Sequence, residues 1–218
     1  NTDPEAIREK FRRITGEDFD AFLALDLPNQ VRGRNEDPVN PCKYLLFSDP
    51  FNGFLDPTLA GDEGQKFAEI AEKLGGYAKT SRYAYLFETL SALCWVLAEK
   101  TGLGAATREA YRQGDRTALR SLIGRYAEAE ARTEIFVQAF RAQWMRENKP
   151  QGFDVQEIRL GGLLLRLRSC RERLQRYLSG EIDRIEELEE ELLPFEGSTE
   201  KKLYVYNLWS SNATVGVV

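Results

Sequence analysis

The sequence contains no histidine among its 218 residues. This absence excludes Ser-His-Asp and Cys-His catalytic groups, and every zinc site that needs an imidazole ligand. The three cysteines, Cys42, Cys94 and Cys170, are widely separated and odd in number, which fits neither a disulfide framework nor a metal site. We therefore predict no metal and no cofactor, core positions for Cys94 and Cys170, and a reducing, cytoplasmic location.

Long apolar runs and a surplus of basic residues are also missing. No apolar run approaches the ~20 residues that a membrane-spanning helix needs. The 35 Asp and Glu residues outnumber the 30 Lys and Arg residues, and the formal net charge is −5. We therefore predict neither a membrane nor a nucleic-acid partner. Five arginines in residues 166–176 are followed by acidic residues 186–191, which predicts a helix surface with salt bridges.

Helical periodicity runs through most of the chain. Helix start and stop residues predict helices over 4–15, 18–28, 59–74, 81–102, 116–148, 155–178 and 181–193. Gly75 and Gly76 are expected to end the third of these, and residues 32–41 to form a loop. The predicted fold is all-α, a multi-helix bundle with long antiparallel helices. The tail, residues 203–218, is also compatible with a short extended segment.

Two segments combine aromatic residues with sharp turns. Residues 43–56 read KYLLFSDPFNGFLD, where Pro50 fixes φ and Gly53 tolerates a positive φ. Large aromatic residues around such a bend are costly to expose, so we predict burial against the core of this chain or against a neighbouring domain. Residues 144–162 read WMRENKPQGFDVQEIRLGG. The pair Gly161-Gly162 inside a helix predicts close approach of another backbone.

These two segments resemble the C-terminal helical domain of a bacterial subgroup of family 20 glycoside hydrolases, the β-N-acetylhexosaminidases. The opening residues 3–29 fit the start of the same domain. The matching residues of the two segments are Lys43, Tyr44, Leu45, Asp49, Pro50, Phe51, Gly53, Leu55 and Asp56, then Trp144, Asn148, Lys149, Pro150, Gly152, Phe153, Val155, Arg159, Leu160, Gly161 and Gly162.

The resemblance implies a non-catalytic accessory domain. Residues 1–218 would form one domain of a larger enzyme whose catalytic barrel lies before residue 1, and both ends of the chain have the character of cut ends. The domain would pack on that barrel, and a homodimer is a further expectation. The whole enzyme would remove terminal β-linked N-acetylhexosamines by substrate-assisted hydrolysis.

The pair Asp62-Glu63 is the one local match to catalytic chemistry. Family 20 enzymes use an adjacent Asp-Glu pair at the end of a barrel strand, but no strand and no histidine precede this pair. We therefore interpret Asp62 and Glu63 as carboxylates at a helix N-terminus, and we predict no catalytic residue in this chain. Asp49 is interpreted in the same way as a turn residue that accepts from nearby backbone N–H groups.

Aromatic and charged residues of the two segments are candidates for a domain or subunit interface, because aromatic residues and Arg are enriched at interfaces. For Trp144, core packing is favoured; for Asn148, Lys149 and Arg159, an ordinary helix-end role is equally open. The candidates are Tyr44, Asp49, Phe51, Trp144, Asn148, Lys149, Arg159 and Trp209. The alternatives to an accessory domain are a free-standing helical interaction module and a small carboxylate-based enzyme.

Overall fold

The computed structural model describes residues 3–31, 41–53 and 55–192, and every regular element in these ranges is a helix. The all-α prediction is therefore confirmed for the part of the chain described. Predictions for residues 32–40 and for the tail, including Trp209, lie outside the described residues. No described helix is both long enough and apolar enough to cross a bilayer.

The first helices form a small N-terminal layer. Helix α1 (Pro4–Thr15) starts where Asp3 accepts a hydrogen bond from the Glu5 N–H at 3.1 Å, and it ends at Gly16 in the left-handed conformation. Helix α2 (Phe19–Leu23) continues as a 3-10 helix over Ala24–Gln30 that contains Pro28. The ring of Phe11 packs edge-on against Phe19 and Phe22, each at 5.3 Å between centroids, and joins the two helices.

Four longer helices build the main bundle. They are α4 (Glu63–Ala78), α5 (Ala84–Lys100), α7 (Arg116–Glu147) and α8 (Phe153–Ser179), and α5 packs on α4 and α7 while α7 packs on α8. A connection of only residues 148–152 makes α7 and α8 antiparallel, as the sequence predicts. Helix α7 faces the core through Leu119, Leu122, Tyr126, Ala129, Glu130, Thr133 and Phe136.

The glycine pair in α4 does not end the helix, so the prediction of a break at Gly75 is wrong. Helix α4 continues to Ala78. A Cβ on Gly75 would lie 3.6 Å from Ser91 Oγ, and that hydroxyl donates to the Ala71 carbonyl at 2.8 Å. Packing of α5 against this side of α4 therefore outweighs the ~1 kcal/mol that a helical glycine costs.

Two further elements differ from the prediction. Helix α6 (Leu103–Arg112) has no counterpart among the predicted helices, because its buried side includes Gly104, Thr107 and Arg108 and gives a weak apolar signal. Helix α9 (Glu186–Glu189) is shorter than the predicted helix over 181–193. Only Leu188 of α9 is buried, so little apolar packing supports a longer helix.

Helix α3 (Pro41–Phe47) leads into the irregular residues 48–56, which we call the bend and which are described except for residue 54. The sequence predicts that this segment is buried either against the core of this chain or against a neighbouring domain. Tyr44 and Phe51 are buried in the core of this chain, which confirms the first of these. The close backbone approach occurs at Gly104 of α6, where an added Cβ would stand 2.4 Å from the Pro50 carbonyl oxygen. The approach predicted for the Gly161-Gly162 pair does not occur at Gly161, where a Cβ would meet nothing within 4 Å; for Gly162 it stays a prediction.

We predict that Gly104→Ala strongly destabilises the chain. The new methyl group would overlap the backbone of the bend at Pro50, so α6 must move and the free energy of unfolding should fall by ~2 kcal/mol or more. The matched control is Gly161→Ala, where helix propensity should raise stability by up to ~1 kcal/mol. Thermal unfolding followed by circular dichroism measures both variants, and equal melting temperatures would refute the close-contact assignment.

Candidate functional site at the buried bend

Asp49 organises the bend through both of its carboxylate oxygens. Oδ1 accepts from the backbone N–H groups of Phe51 and Asn52, each at 2.9 Å, and the Gly53 N–H reaches the Asp49 carbonyl at 3.0 Å. The predicted turn role is therefore confirmed. The sequence does not reveal that the side chain is 1% exposed and is also bound by Arg166 of α8.

The contact between Arg166 and Asp49 is bidentate. Arg166 Nε donates to Oδ2 at 2.5 Å and Nη2 donates to Oδ1 at 3.0 Å. Burial disfavours the charge on Arg166, yet the hydrogen bonds to Asp49 still raise the pKa of the guanidinium. Paired hydrogen bonds of this geometry fix orientation as well as charge, so they set the position of α8 relative to the bend.

Lys100, the last residue of α5, holds the backbone where α3 ends. The side chain is buried, and Nζ donates to the carbonyl oxygens of Leu45 at 2.9 Å and Ser48 at 2.5 Å. Burial lowers the pKa of Lys100 to about 8, while the charges of Asp49 and Asp56 act in the opposite direction. An ammonium thus satisfies carbonyl groups that have no helical partner at this point.

Arg108 of α6 connects the bend to α9. Its Nη1 donates to the carbonyl oxygens of Leu188 and Glu190, each at 3.0 Å, and its Nη2 donates to the Phe51 carbonyl. Because the residue is buried, these backbone groups replace the water that would otherwise solvate the guanidinium. One side chain therefore ties the bend to the segment around α9.

Phe51 lies at the middle of these contacts and is fully buried. The guanidinium groups of Arg166 and Arg173 stand 5.6 and 5.9 Å from its ring centroid, and the Tyr126 ring approaches edge-on at 6.3 Å. Cation–π attraction strengthens when the partners are desolvated. The aromatic ring and the cations around the bend therefore form one packed unit, which we call the polar centre: Asp49, Phe51, Asp56, Lys100, Arg108 and Arg166.

Asp56 lines a small cavity of about 20 Å³ together with Lys100 and Thr101. Its Oδ2 is buried and has no hydrogen-bond partner within the described ranges, and a Cβ at Gly53 would come within 2.8 Å of that oxygen. Burial raises the pKa of Asp56 to about 7, against the attraction of Lys100 and Arg108 and together with repulsion from Asp49. A cavity of this size has no room for a substrate beside the carboxyl group, so we assign Asp56 a structural role.

The pair Asp62-Glu63 has the helix-end role that the sequence indicates. Helix α4 begins at Glu63, whose carboxylate oxygens accept from the Ala60 N–H at 2.7 Å and the Gly61 N–H at 2.8 Å. Asp62 forms a 3.0 Å ion pair with Lys66. Both carboxylates therefore serve the start of α4.

The candidate interface residues do not share one environment. Tyr44, Asp49 and Phe51 are buried, and the role of Trp209 lies outside the described residues. The other four lie on or beside the α7–α8 turn: Trp144 and Arg159 are half-buried, and Asn148 and Lys149 are exposed. The turn is itself held by the Trp144 Nε1–H, which donates to the Lys149 carbonyl at 2.9 Å. For these residues an interface role stays a prediction.

The five arginines of residues 166–176 are each paired with an acid, as the sequence predicts. Arg168 and Arg171 both contact Glu130, Arg173 contacts Glu186 and Glu187, and Arg176 contacts Glu181. The three cysteines are unpaired, with Cys94 and Cys170 in the core as predicted.

Comparison with known families gives the class of this domain. Residues 20–206 match the Glycoside Hydrolase 20C C-terminal domain. The match covers most of the chain, so the chain belongs to this family. No curated protein matches the chain. The resemblance seen in the sequence is thus confirmed, and the bend carries the first group of residues on which it depends.

Arg166→Ala should destabilise the chain by ~3–5 kcal/mol, because it removes the bidentate partner of the buried Asp49 carboxylate. Arg168→Ala is the matched control, since Glu130 keeps its contact with Arg171 and the expected loss is below ~1 kcal/mol. Denaturant unfolding measures the two variants. A similar small loss in both would contradict a central role for the Asp49–Arg166 contact.

Asp56→Asn should stabilise the chain increasingly as the pH rises from about 4 to about 7, the range between the ordinary pKa of Asp56 and its pKa in the folded chain. The pKa of Asp56 in the folded chain, about 7, exceeds its ordinary value of 3.8. The folded state therefore binds this proton more tightly than the unfolded chain, and ionisation of Asp56 removes stability as the pH increases. Neutral asparagine avoids that loss, which is on the order of 4 kcal/mol once the pH exceeds the pKa of Asp56 in the folded chain.

The control for Asp56→Asn is Asp62→Asn, which removes an ion pair with Lys66 at the chain surface. Melting temperatures of both variants and the unchanged chain are compared across the pH range. The difference for Asp56→Asn should grow with pH, while that for Asp62→Asn stays small. A difference for Asp56→Asn that shrinks with rising pH would show that its carboxylate is stabilised in the folded chain.

Proposed function

We propose that this domain is the non-catalytic C-terminal part of a bacterial β-N-acetylhexosaminidase-like enzyme and packs on the catalytic barrel that precedes it in the same chain. The observation that carries the proposal is the family match over residues 20–206, since a C-terminal domain of this family implies a catalytic domain in the same chain. Substrate-assisted removal of terminal β-linked N-acetylhexosamines is then the activity of the barrel.

Helix α1 supports a contact with the preceding domain. Ile7 and Ile14 lie on one side of the helix, with exposed fractions of 38% and 69%, and no residue of α1 is buried. Leu23 of α2 adds a third apolar side chain that is 51% exposed. These side chains belong to the first elements of the domain, so a barrel that ends just before them is the nearest surface to cover them.

The polar centre favours a role for this domain as a rigid platform for the barrel. Asp49 and Arg166 bind each other, and Lys100 and Arg108 bind backbone carbonyls of the bend and its flanks. These groups serve the fold, and the chemistry of the sugar is then left to the barrel. A homodimer and a cytoplasmic location belong to the same proposal; the three cysteines without disulfide bonds favour the cytoplasmic location. Asn148, Lys149 and Arg159 at the α7–α8 turn are the candidates for a subunit contact.

The proposal predicts a substitution that weakens the whole enzyme and leaves the 218-residue chain almost unaffected. Ile14→Asp changes an exposed side chain, so it should alter the melting temperature of the chain by less than ~2 °C. In the whole enzyme the aspartate would be buried at the barrel and should lower thermal stability markedly. Ile135→Asp on α7, where the side chain is 54% exposed, is the matched control and should change neither protein.

The activity is tested in the same two proteins with a chromogenic β-N-acetylglucosaminide. We expect hydrolysis by the whole enzyme and none by the 218-residue chain. Hydrolysis by the short chain would overturn the non-catalytic role. A native reading frame no longer than this chain would overturn the contact with a barrel.

A further inference from the structure

The cavity beside the bend has the size of a single water molecule. Its volume is about 20 Å³, and its wall joins residues of the bend to the end of α5 and to Gly104 of α6. A water molecule needs a volume of about 10–15 Å³ or more, together with two to four polar partners. A sugar or any other organic ligand is too large for this space. What the cavity binds therefore depends on the polar groups of its wall.

Two side chains of this wall keep a buried polar atom that has no hydrogen-bond partner among the described residues. These atoms are Oδ2 of Asp56 and Oγ1 of Thr101. Asp56 belongs to the bend, whereas Thr101 directly follows α5. Because neither atom has a partner, the two do not bond each other. A buried polar atom without a hydrogen bond costs free energy, so both atoms point to a small polar ligand.

Lys100 supplies a third polar group to the same cavity. Its ammonium carries three N–H donors, and two of them are used by the carbonyl oxygens of Leu45 and Ser48. Within the described part of the chain, the third donor is not used by these two contacts. It is therefore available to a molecule that lies between Lys100, Asp56 and Thr101.

We propose that the cavity binds one ordered water molecule, which joins Asp56, Lys100 and Thr101. The water accepts a hydrogen bond from Lys100 Nζ, donates one to Asp56 Oδ2 and forms one with the Thr101 hydroxyl. Three partners is the usual number for a buried water, and a bridging water is nearly as favourable as a direct hydrogen bond. This water adds a link between the bend and the end of α5 that no side chain makes directly.

The charges around the cavity favour a neutral ligand over an ion. The ammonium of Lys100 repels a cation, and the carboxyl groups of Asp49 and Asp56, which also line the cavity, repel an anion. The described residues contain no group of three Asp, Glu, Cys or His side chains that could hold a metal ion. A water molecule carries no net charge and both donates and accepts, so it satisfies all three polar groups.

A high-resolution crystal structure of the 218-residue chain is the first test. We expect electron density for one oxygen atom at hydrogen-bond distance, about 2.7–3.2 Å, from Asp56 Oδ2, Thr101 Oγ1 and Lys100 Nζ. A direct hydrogen bond between Asp56 and Thr101 would overturn the proposal. A metal ion at this position, or a cavity without ordered density, would also overturn it.

Oxygen-17 magnetic relaxation dispersion counts long-lived internal waters in solution and is the second test. Thr101→Ile should lower the count by one, because isoleucine replaces the hydroxyl with carbon and its additional methyl group fills the cavity. Thr117→Ile, at an exposed position of α7, is the matched control and should leave the count unchanged. An unchanged count in folded Thr101→Ile would refute the proposal, and the crystal structure decides if this variant does not fold. Neither test depends on glycosidase activity, so failure of either leaves the proposed function unaffected.

Discussion

The bidentate contact between Arg166 and Asp49 is the interaction on which the arrangement of this domain depends. The bend is irregular backbone at the centre of a helical protein, and buried backbone groups need partners. Asp49 satisfies the N–H groups on one side of the turn, while Lys100 and Arg108 satisfy carbonyl groups of the bend and its flanks. Arg166 then compensates the charge of Asp49 and joins this unit to α8.

Charge balance explains why so many ionised groups share one interior. Lys100 from α5, Arg108 from α6 and Arg166 from α8 surround two carboxyl groups, those of Asp49 and Asp56. Separately, each would be costly to bury; together they are offset by mutual attraction and by hydrogen bonds to backbone. Because these side chains come from three helices, their geometry constrains how α5, α6 and α8 meet, which apolar contacts alone specify less strictly.

Sequence periodicity predicts the elements whose stability comes from an apolar stripe. The bounds of α7 follow closely from the apolar positions that include Leu119 and Phe136 and from Pro150, and the predicted end of α8 near residue 178 lies within one residue of the observed end. The same reasoning misses α6, because Thr107 and Arg108 are polar residues that are buried where they make hydrogen bonds. It also predicts a break at Gly75, where packing against Ser91 keeps the helix intact. The candidate site is predictable only in part, because Asp49 is recognisable as a turn residue but its partner is not. Arg166 lies 117 positions away, in a run of arginines that the sequence assigns to a helix surface.

The first of the two groups of residues that carry the family resemblance builds the bend, and this has a consequence for interpreting function. Asp49, Pro50, Phe51, Gly53 and Asp56 make contacts that hold the domain together, and a motif of this kind identifies a domain without indicating its chemistry. Pro50 illustrates the point, since its carbonyl faces Gly104 of α6 at a distance that excludes a methyl group. The functional surfaces must then be sought where apolar side chains remain exposed. In the described part of the chain these surfaces include Ile7 and Ile14 of α1, for which we propose a contact with the preceding domain, and Val155, Ile158 and Leu165 of α8.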